Sequence, residues 1–187
     1  MKRLLFAALA VFSFVSINAQ EDDSVASETT FGLKGGYTSL TLKVSAEGNS
    51  ASDNVGGFYI GAFAEFNASE KFMIQPEVVF ASYSEDGESS GVLMVPVLGK
   101  YMANEDFGIL FGPQFDYLTN EEDSEGLKRF GIGLALGASV DVSDEVYIDA
   151  RYTFGISNRI DGDLEGLEGF DITARFNYLQ IGIGYRL

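Results

Sequence analysis

The chain has no cysteine, no histidine and no tryptophan, and only three prolines among its 187 residues. Without cysteine there is no disulfide framework, so the fold must stand on its packing or on a membrane. Without histidine as well, zinc, copper and haem sites lose their commonest ligands, and general-base chemistry centred on an imidazole has no candidate. Basic residues are scarce: 12 Lys and Arg face 28 Asp and Glu, a net charge of −16. That balance argues against nucleic acid or an anionic lipid headgroup as the partner. Nor does any stretch offer about 18 continuous apolar residues, which excludes a helical membrane protein.

What is present begins with Lys2 and Arg3 before an apolar run from Leu4 to Val15, closed by Ser16-Ile17-Asn18-Ala19. This is the pattern of a secretory signal peptide, residues 1–19, with cleavage after Ala19. Residues 20–30, acidic and serine-rich, read as a flexible periplasmic leader. The remainder, 31–187, has the size of one domain.

Eight segments carry strand patterning, at 31–44, 56–66, 71–83, 91–102, 107–118, 129–141, 145–157 and 172–187. Phe58/Ile60/Ala62/Ala64/Phe66 and Phe107/Ile109/Phe111/Pro113/Phe115/Tyr117 alternate over the 9–11 residues, or about that, which a tilted transmembrane strand needs. The connections alternate in length. Asn67–Glu70, Ala103–Asp106 and Val142–Asp144 are tight, whereas Ser45–Val55, Ser84–Ser90, Thr119–Lys128 and Asn158–Asp171 are longer and mostly acidic. Short turns on one rim and long loops on the other are the rhythm of outer-membrane barrels. In the first segment Phe31, Leu33 and Tyr37 share one parity and Leu40, Leu42 and Val44 the other; Phe176 and Leu179 disagree likewise in the last. Bulges at this closing seam would absorb both slips, and further bulges are expected at Pro76, Pro96 and Pro113.

Opposite the large apolar rows stand Glu65, Gln75, Glu77, Lys100, Gln114, Asp116, Asp149, Arg151, Gln180 and Arg186, interleaved with glycines such as Gly131, Gly182 and Gly184. Water-facing strand positions gain nothing from glycine, whereas the cramped lumen of an eight-stranded barrel needs it beside Tyr59, Phe63 and Tyr83. The polar row is therefore expected inside. There Glu65, Glu77, Lys100, Asp116, Asp149 and Arg151 would form a salt-bridged network that plugs the lumen, because buried charges are tolerated when paired. The last strand, Leu179 to Leu187, runs its apolar parity to the terminus, with Leu179, Ile181, Ile183, Tyr185 and Leu187 toward lipid. Its Gln180, Gly182, Tyr185 and Leu187 resemble the signal read by barrel-insertion machinery, with leucine where an aromatic is usual at the end. Tyr37, Tyr101, Tyr117, Tyr152 and Tyr185 fall near strand ends, as an aromatic girdle requires.

No carboxylate pair is singled out by spacing as an acid and base couple. Asp161-Gly162-Asp163-Leu164-Glu165 has alternating oxygens but lacks the twelve-residue frame of a calcium loop. It reads as a solvated acidic loop. Asn67-Ala68-Ser69 matches a glycosylation triplet and reads as a turn.

The order of segments resembles the outer-membrane β-barrel domain of the PorT family and, more broadly, OmpA/OmpX-like small barrels. The resemblance is carried by Gly32-Leu33-Lys34-Gly35-Gly36, Gly61-Ala62-Phe63-Ala64-Glu65-Phe66, Ile74-Gln75-Pro76-Glu77, Val95-Pro96-Val97-Leu98-Gly99-Lys100-Tyr101, Gly131-Ile132-Gly133 through Gly137, and Ala150-Arg151-Tyr152-Thr153-Phe154-Gly155-Ile156. It implies an outer-membrane location and, from some members, an accessory role in secretion of surface proteins. It supplies no catalytic residue.

The sequence therefore predicts an all-β, eight-stranded, antiparallel up-and-down transmembrane β-barrel, non-enzymatic, without catalytic, metal or cofactor residues. Both termini are expected in the periplasm. The expected partners are outer-membrane lipid and lipopolysaccharide, the barrel-assembly machinery, and an extracellular or secretion partner at the acidic loops. The rival readings are a soluble periplasmic lipocalin-like barrel holding an apolar ligand, and a narrow channel.

Overall fold

The computed structural model describes residues 29–46, 49–85, 88–120, 126–160 and 172–187. The expected signal peptide and leader, most of the acidic loop residues and the Asp161–Glu165 segment lie outside them. Eight strands follow one another around a closed ring: β1 (Thr29–Ala46), β2 (Asn49–Ser69), β3 (Phe72–Glu85), β4 (Glu88–Met102), β5 (Phe107–Leu118), β6 (Phe130–Asp141), β7 (Val146–Gly155) and β8 (Ile172–Arg186). Every neighbouring pair is antiparallel, and β1 closes the ring against β8 from Gly32↔Arg186 to Ala46↔Ile172. Closure removes the free edge that an open sheet would present to lipid.

The barrel is inside out relative to a soluble one. Phe58 is 74% exposed and Leu33 55%, while Arg151 is 2% exposed and Lys100 0%. Outward rows such as Phe111, Leu134, Leu136, Phe154, Ile181 and Ile183 form an apolar belt around the wall. A water-soluble lipocalin-type barrel needs the opposite arrangement, with charge outside and apolar residues lining the cavity. Tyr37, Tyr101 and Tyr185 lie on the exposed face, and Tyr117 and Tyr152 are half-buried on it.

Three expectations about the ladder are corrected. The β1–β2 and β1–β8 pairings run without a register shift, so there is no bulge at the closing seam. The parity of β1 and β8 never slips; what changes is the lining of the lumen. Leu40, Leu42, Phe176 and Tyr178 point inward, to an apolar layer with Tyr59, Val79, Tyr83, Val92, Met94 and Leu118. The prolines cause no bulge either. Beside Pro76 the β2–β3 ladder lapses between Phe63↔Glu77 and Phe66↔Ile74 and then resumes in the same register. Beside Pro96 and Pro113, β4 and β5 do the same between Pro96↔Gln114 and Gly99↔Phe111. A proline removes a donor, and here only the ladder bonds around it are lost. The one shift in β2–β3 is at Asn67/Ser69, at the end of β2 beside the turn.

Two of the expected long connections are also mostly strand. β1 and β2 continue to Ala46↔Asn49, and β3 and β4 to Glu85↔Glu88, so Ser45–Val55 and Ser84–Ser90 are arms of hairpins. These stretches are mostly polar, which erases the apolar period, yet pairing of β1 with β2 and β8, and of β3 with β4, holds them extended. On the opposite rim the turns are short, and both ends of the described barrel meet there: Leu187 N–H donates to Phe31 C=O (2.8 Å).

Candidate functional site

Inward positions of neighbouring strands bring the charged residues together in two groups. The larger begins at the short-turn rim. Lys100 Nζ lies 2.9 Å from Glu65 and 3.8 Å from Asp141, and Arg186 bridges the same two acids at 2.8 and 2.9 Å. One layer further in, Lys34 Nζ lies between Glu77 (3.1 Å) and Asp149 (2.9 Å). Arg151 meets both oxygens of Glu77, Nη1 at 2.9 Å and Nη2 at 2.7 Å, and its Nε donates to Gln180 Oε1 at 2.9 Å. Gln75 Nε2 donates to Glu77 at 2.8 Å. The Tyr147 ring stands between the layers, with Lys100 and Arg186 each 5.1 Å and Lys34 5.9 Å from its centroid. Gly184 makes this possible, since a Cβ there would overlap the Tyr147 ring.

Five of the six expected lumen residues, Glu65, Glu77, Lys100, Asp149 and Arg151, thus stand in this assembly. Asp116 does not. It lies toward the long-connection rim, paired with Arg159, whose guanidinium packs 4.5 Å from the Phe176 ring centroid. Arg159 lies beyond the end of β7, in the stretch read from sequence as the last long loop, yet it is 1% exposed. Its backbone ties it down: Lys128 N–H donates to Arg159 C=O (2.7 Å), and Arg159 N–H to Ala174 C=O (2.8 Å). A bridge between Leu127 and Ile160 joins the same two connections. Gly131 leaves the space, because a side chain there would overlap the Arg159 guanidinium and crowd Asp116.

Lys34, Asp141 and Arg159 were missed from sequence. Lys34 shares the parity of Gly32 and Gly36 opposite Leu33 and Tyr37, a signal that could have found it; Arg159 has no strand period to reveal it. Among the described residues the ion pairs match Lys34, Lys100, Arg151, Arg159 and Arg186 to Glu65, Glu77, Asp116, Asp141 and Asp149, so the paired charges cancel. Among the described residues Tyr59 Oη, Ser139 Oγ and Gln114 Nε2 are buried and have no hydrogen-bond partner. Ordered water serves such atoms in polar interiors. Among the described residues no cluster of carboxylates could hold a metal ion. Of the expected insertion-signal residues, Gln180 and Gly182 face the lumen and Tyr185 and Leu187 the exterior.

A closed, inside-out ring of eight strands points to an outer-membrane protein, and the sequence comparison agrees. The model of the family described as outer membrane protein beta-barrel domain matches residues 7–186. The chain belongs to this family. This outer membrane β-barrel protein has no match among curated proteins. Among solved structures it is similar to Ail, the attachment invasion locus protein of Yersinia pestis, at 14% identity and a TM-score of 0.53, over 86% of this chain and 99% of that one. Neisserial surface protein A, NspA, gives 14% identity and 0.48 over 86% and 99%, and OprG from Pseudomonas aeruginosa 13% and 0.47 over 86% and 97%. The likeness to Ail is one of fold.

Proposed function

We propose that this outer membrane β-barrel protein is a non-enzymatic surface barrel with a plugged lumen, which holds its long-connection rim outside the cell and meets its partners there. The observation that supports it most is the layered filling of the interior by Glu65, Lys100, Glu77, Arg151, Tyr147 and the Asp116–Arg159 pair. Eight strands leave an interior only wide enough for side chains, and here those side chains are locked to one another. The short-turn rim, where both ends of the barrel meet, is the periplasmic side in this reading. The acidic loops are the interaction surface and the barrel wall is the mount. Gln180, Gly182, Tyr185 and Leu187 form the signal through which the assembly machinery inserts the barrel. The PorT resemblance adds an accessory role in protein secretion, and rests on the sequence motifs.

Planar bilayers test the plug. The purified barrel is expected to give no discrete conductance steps, and the variant Arg159→Ala no more than brief ones. Stable steps in the parent protein would favour the channel reading and overturn this one.

A further inference from the structure

The whole-chain charge argues against an anionic lipid partner, but the outward surface above the apolar belt reverses that argument locally. At the long-connection end of the closing seam, Lys43 of β1 and Arg175 of β8 are direct cross-strand partners, both exposed. Like charges placed opposite each other destabilise a strand pair. No carboxylate of the described residues pairs with either one, although acids outnumber bases 28 to 12 in the chain.

The two cations border a groove of about 540 Å³ on the outer wall, lined also by Thr41, Ser50, Ser52 and Asn177. All of these are neutral hydrogen-bonding groups. Asn177 Oδ1 accepts from Gly155 N–H at 2.9 Å, which leaves its Nδ2 hydrogens as donors. The floor is aromatic: Tyr152 and Phe154 line the same groove with ring centroids 4.7 Å apart. Phe154 and Leu179 belong to the lipid-facing rows, so the groove is continuous with the belt. Two cations with no acid partner among the described residues, and several donors, stand directly above apolar rings. That order matches an amphiphile with a phosphate at the head and acyl chains below, and long basic side chains at such a boundary reach the headgroup level readily.

We propose that the Lys43–Arg175 groove seats a phosphate of an outer-leaflet lipid, a phosphorylated saccharide lipid of the lipid A type, with its chains against Tyr152 and Phe154. The assignment rests on the orientation proposed above, and the groove would anchor the rim at a fixed depth. The test measures binding of bisphosphorylated lipid A, its dephosphorylated form and phosphatidylglycerol to the refolded, detergent-solubilised full barrel by native mass spectrometry. The parent is expected to prefer bisphosphorylated over dephosphorylated lipid A by about tenfold or more, as loss of a charged hydrogen bond implies. In Lys43→Gln/Arg175→Gln that preference falls toward one, with unchanged heat-modifiable gel mobility showing an intact barrel. An equal preference in parent and variant overturns the site. Equal binding of phosphatidylglycerol and lipid A by the parent overturns its assignment to the outer leaflet. Orientation is read separately, by labelling Ser52→Cys on whole cells with an impermeant maleimide. No labelling alongside an intact Lys43- and Arg175-dependent preference would reject the orientation while leaving a phosphate site.

Discussion

The substitution Glu77→Gln removes one charge from the centre of the lumen and keeps the shape of the side chain. Glu77 receives Lys34 at 3.1 Å, Arg151 at 2.9 and 2.7 Å, and Gln75 at 2.8 Å. Lys34 retains Asp149 at 2.9 Å after the change, but Arg151 keeps only the neutral Gln180. One guanidinium is then left buried without a counter-charge. Removing one partner of a buried pair costs about 3–5 kcal/mol, whereas replacing both by apolar groups is often close to neutral. Because one of the two cations keeps its acid, the lower end of about 3 kcal/mol applies here. The double variant Glu77→Gln/Arg151→Met, which restores the charge balance, is expected to recover more than half of that loss. Urea unfolding of refolded protein in lipid vesicles, followed by gel mobility without boiling, gives both values. High salt should shift them little, since screening acts on exposed pairs and hardly on buried ones. A Glu77→Gln barrel within about 0.5 kcal/mol of the parent, or a double variant less stable than Glu77→Gln alone, would refute the reasoning.

Other outcomes follow from the same geometry. Leu134→Arg, on the lipid face near the middle of β6, should cost about 2–4 kcal/mol in the vesicle assay, and a cost near zero would mean that this face is not in lipid. Gly131→Ala should displace the Arg159 guanidinium and cost about 1–3 kcal/mol by overpacking; an unchanged midpoint would show that the Asp116–Arg159 pair does not depend on that space. Asp116→Asn should loosen the joined connections at Leu127 and Ile160, seen as faster proteolysis there with an intact barrel, and equal cleavage rates would show that the Asp116–Arg159 pair does not hold them. Tyr185→Ala with Leu187→Ala should slow insertion by the assembly machinery more than unassisted folding into thin bilayers, and equal slowing would deny a signal in these residues.

The arrangement of faces was legible because a strand repeats every two residues, a local pattern. Glu77, Asp149 and Arg151 each stand between apolar neighbours of opposite parity, and that alone puts them on one side of a wall. Glycine at lumen positions then told inside from outside. The hairpin arms were not legible, because between Val44 of β1 and Val55 of β2 the residues are almost all small or polar, and only pairing between the two strands shows them to be extended. The apparent slips at Leu40 and Phe176 misled for a related reason: the lumen itself changes from charged to apolar along its length. The partner of Asp116 was hidden because Arg159 comes from a connection with no period. Lys43 and Arg175 could not be paired from sequence at all, since 132 positions separate residues that closure of the ring sets side by side.

The two faces of β5 and β6 should touch lipid and closed lumen respectively, and the absence of cysteine makes single-cysteine labelling straightforward. A fluorophore at Phe111→Cys or Leu134→Cys, in vesicles containing brominated lipid, is expected to be quenched by the lipid and not by a water-soluble quencher. At Leu110→Cys or Ala135→Cys, in the closed lumen, neither quencher should reach it. Aqueous quenching at Leu110 and Ala135 would show an open channel, and aqueous quenching at Phe111 and Leu134 would show a barrel that does not lie in the membrane.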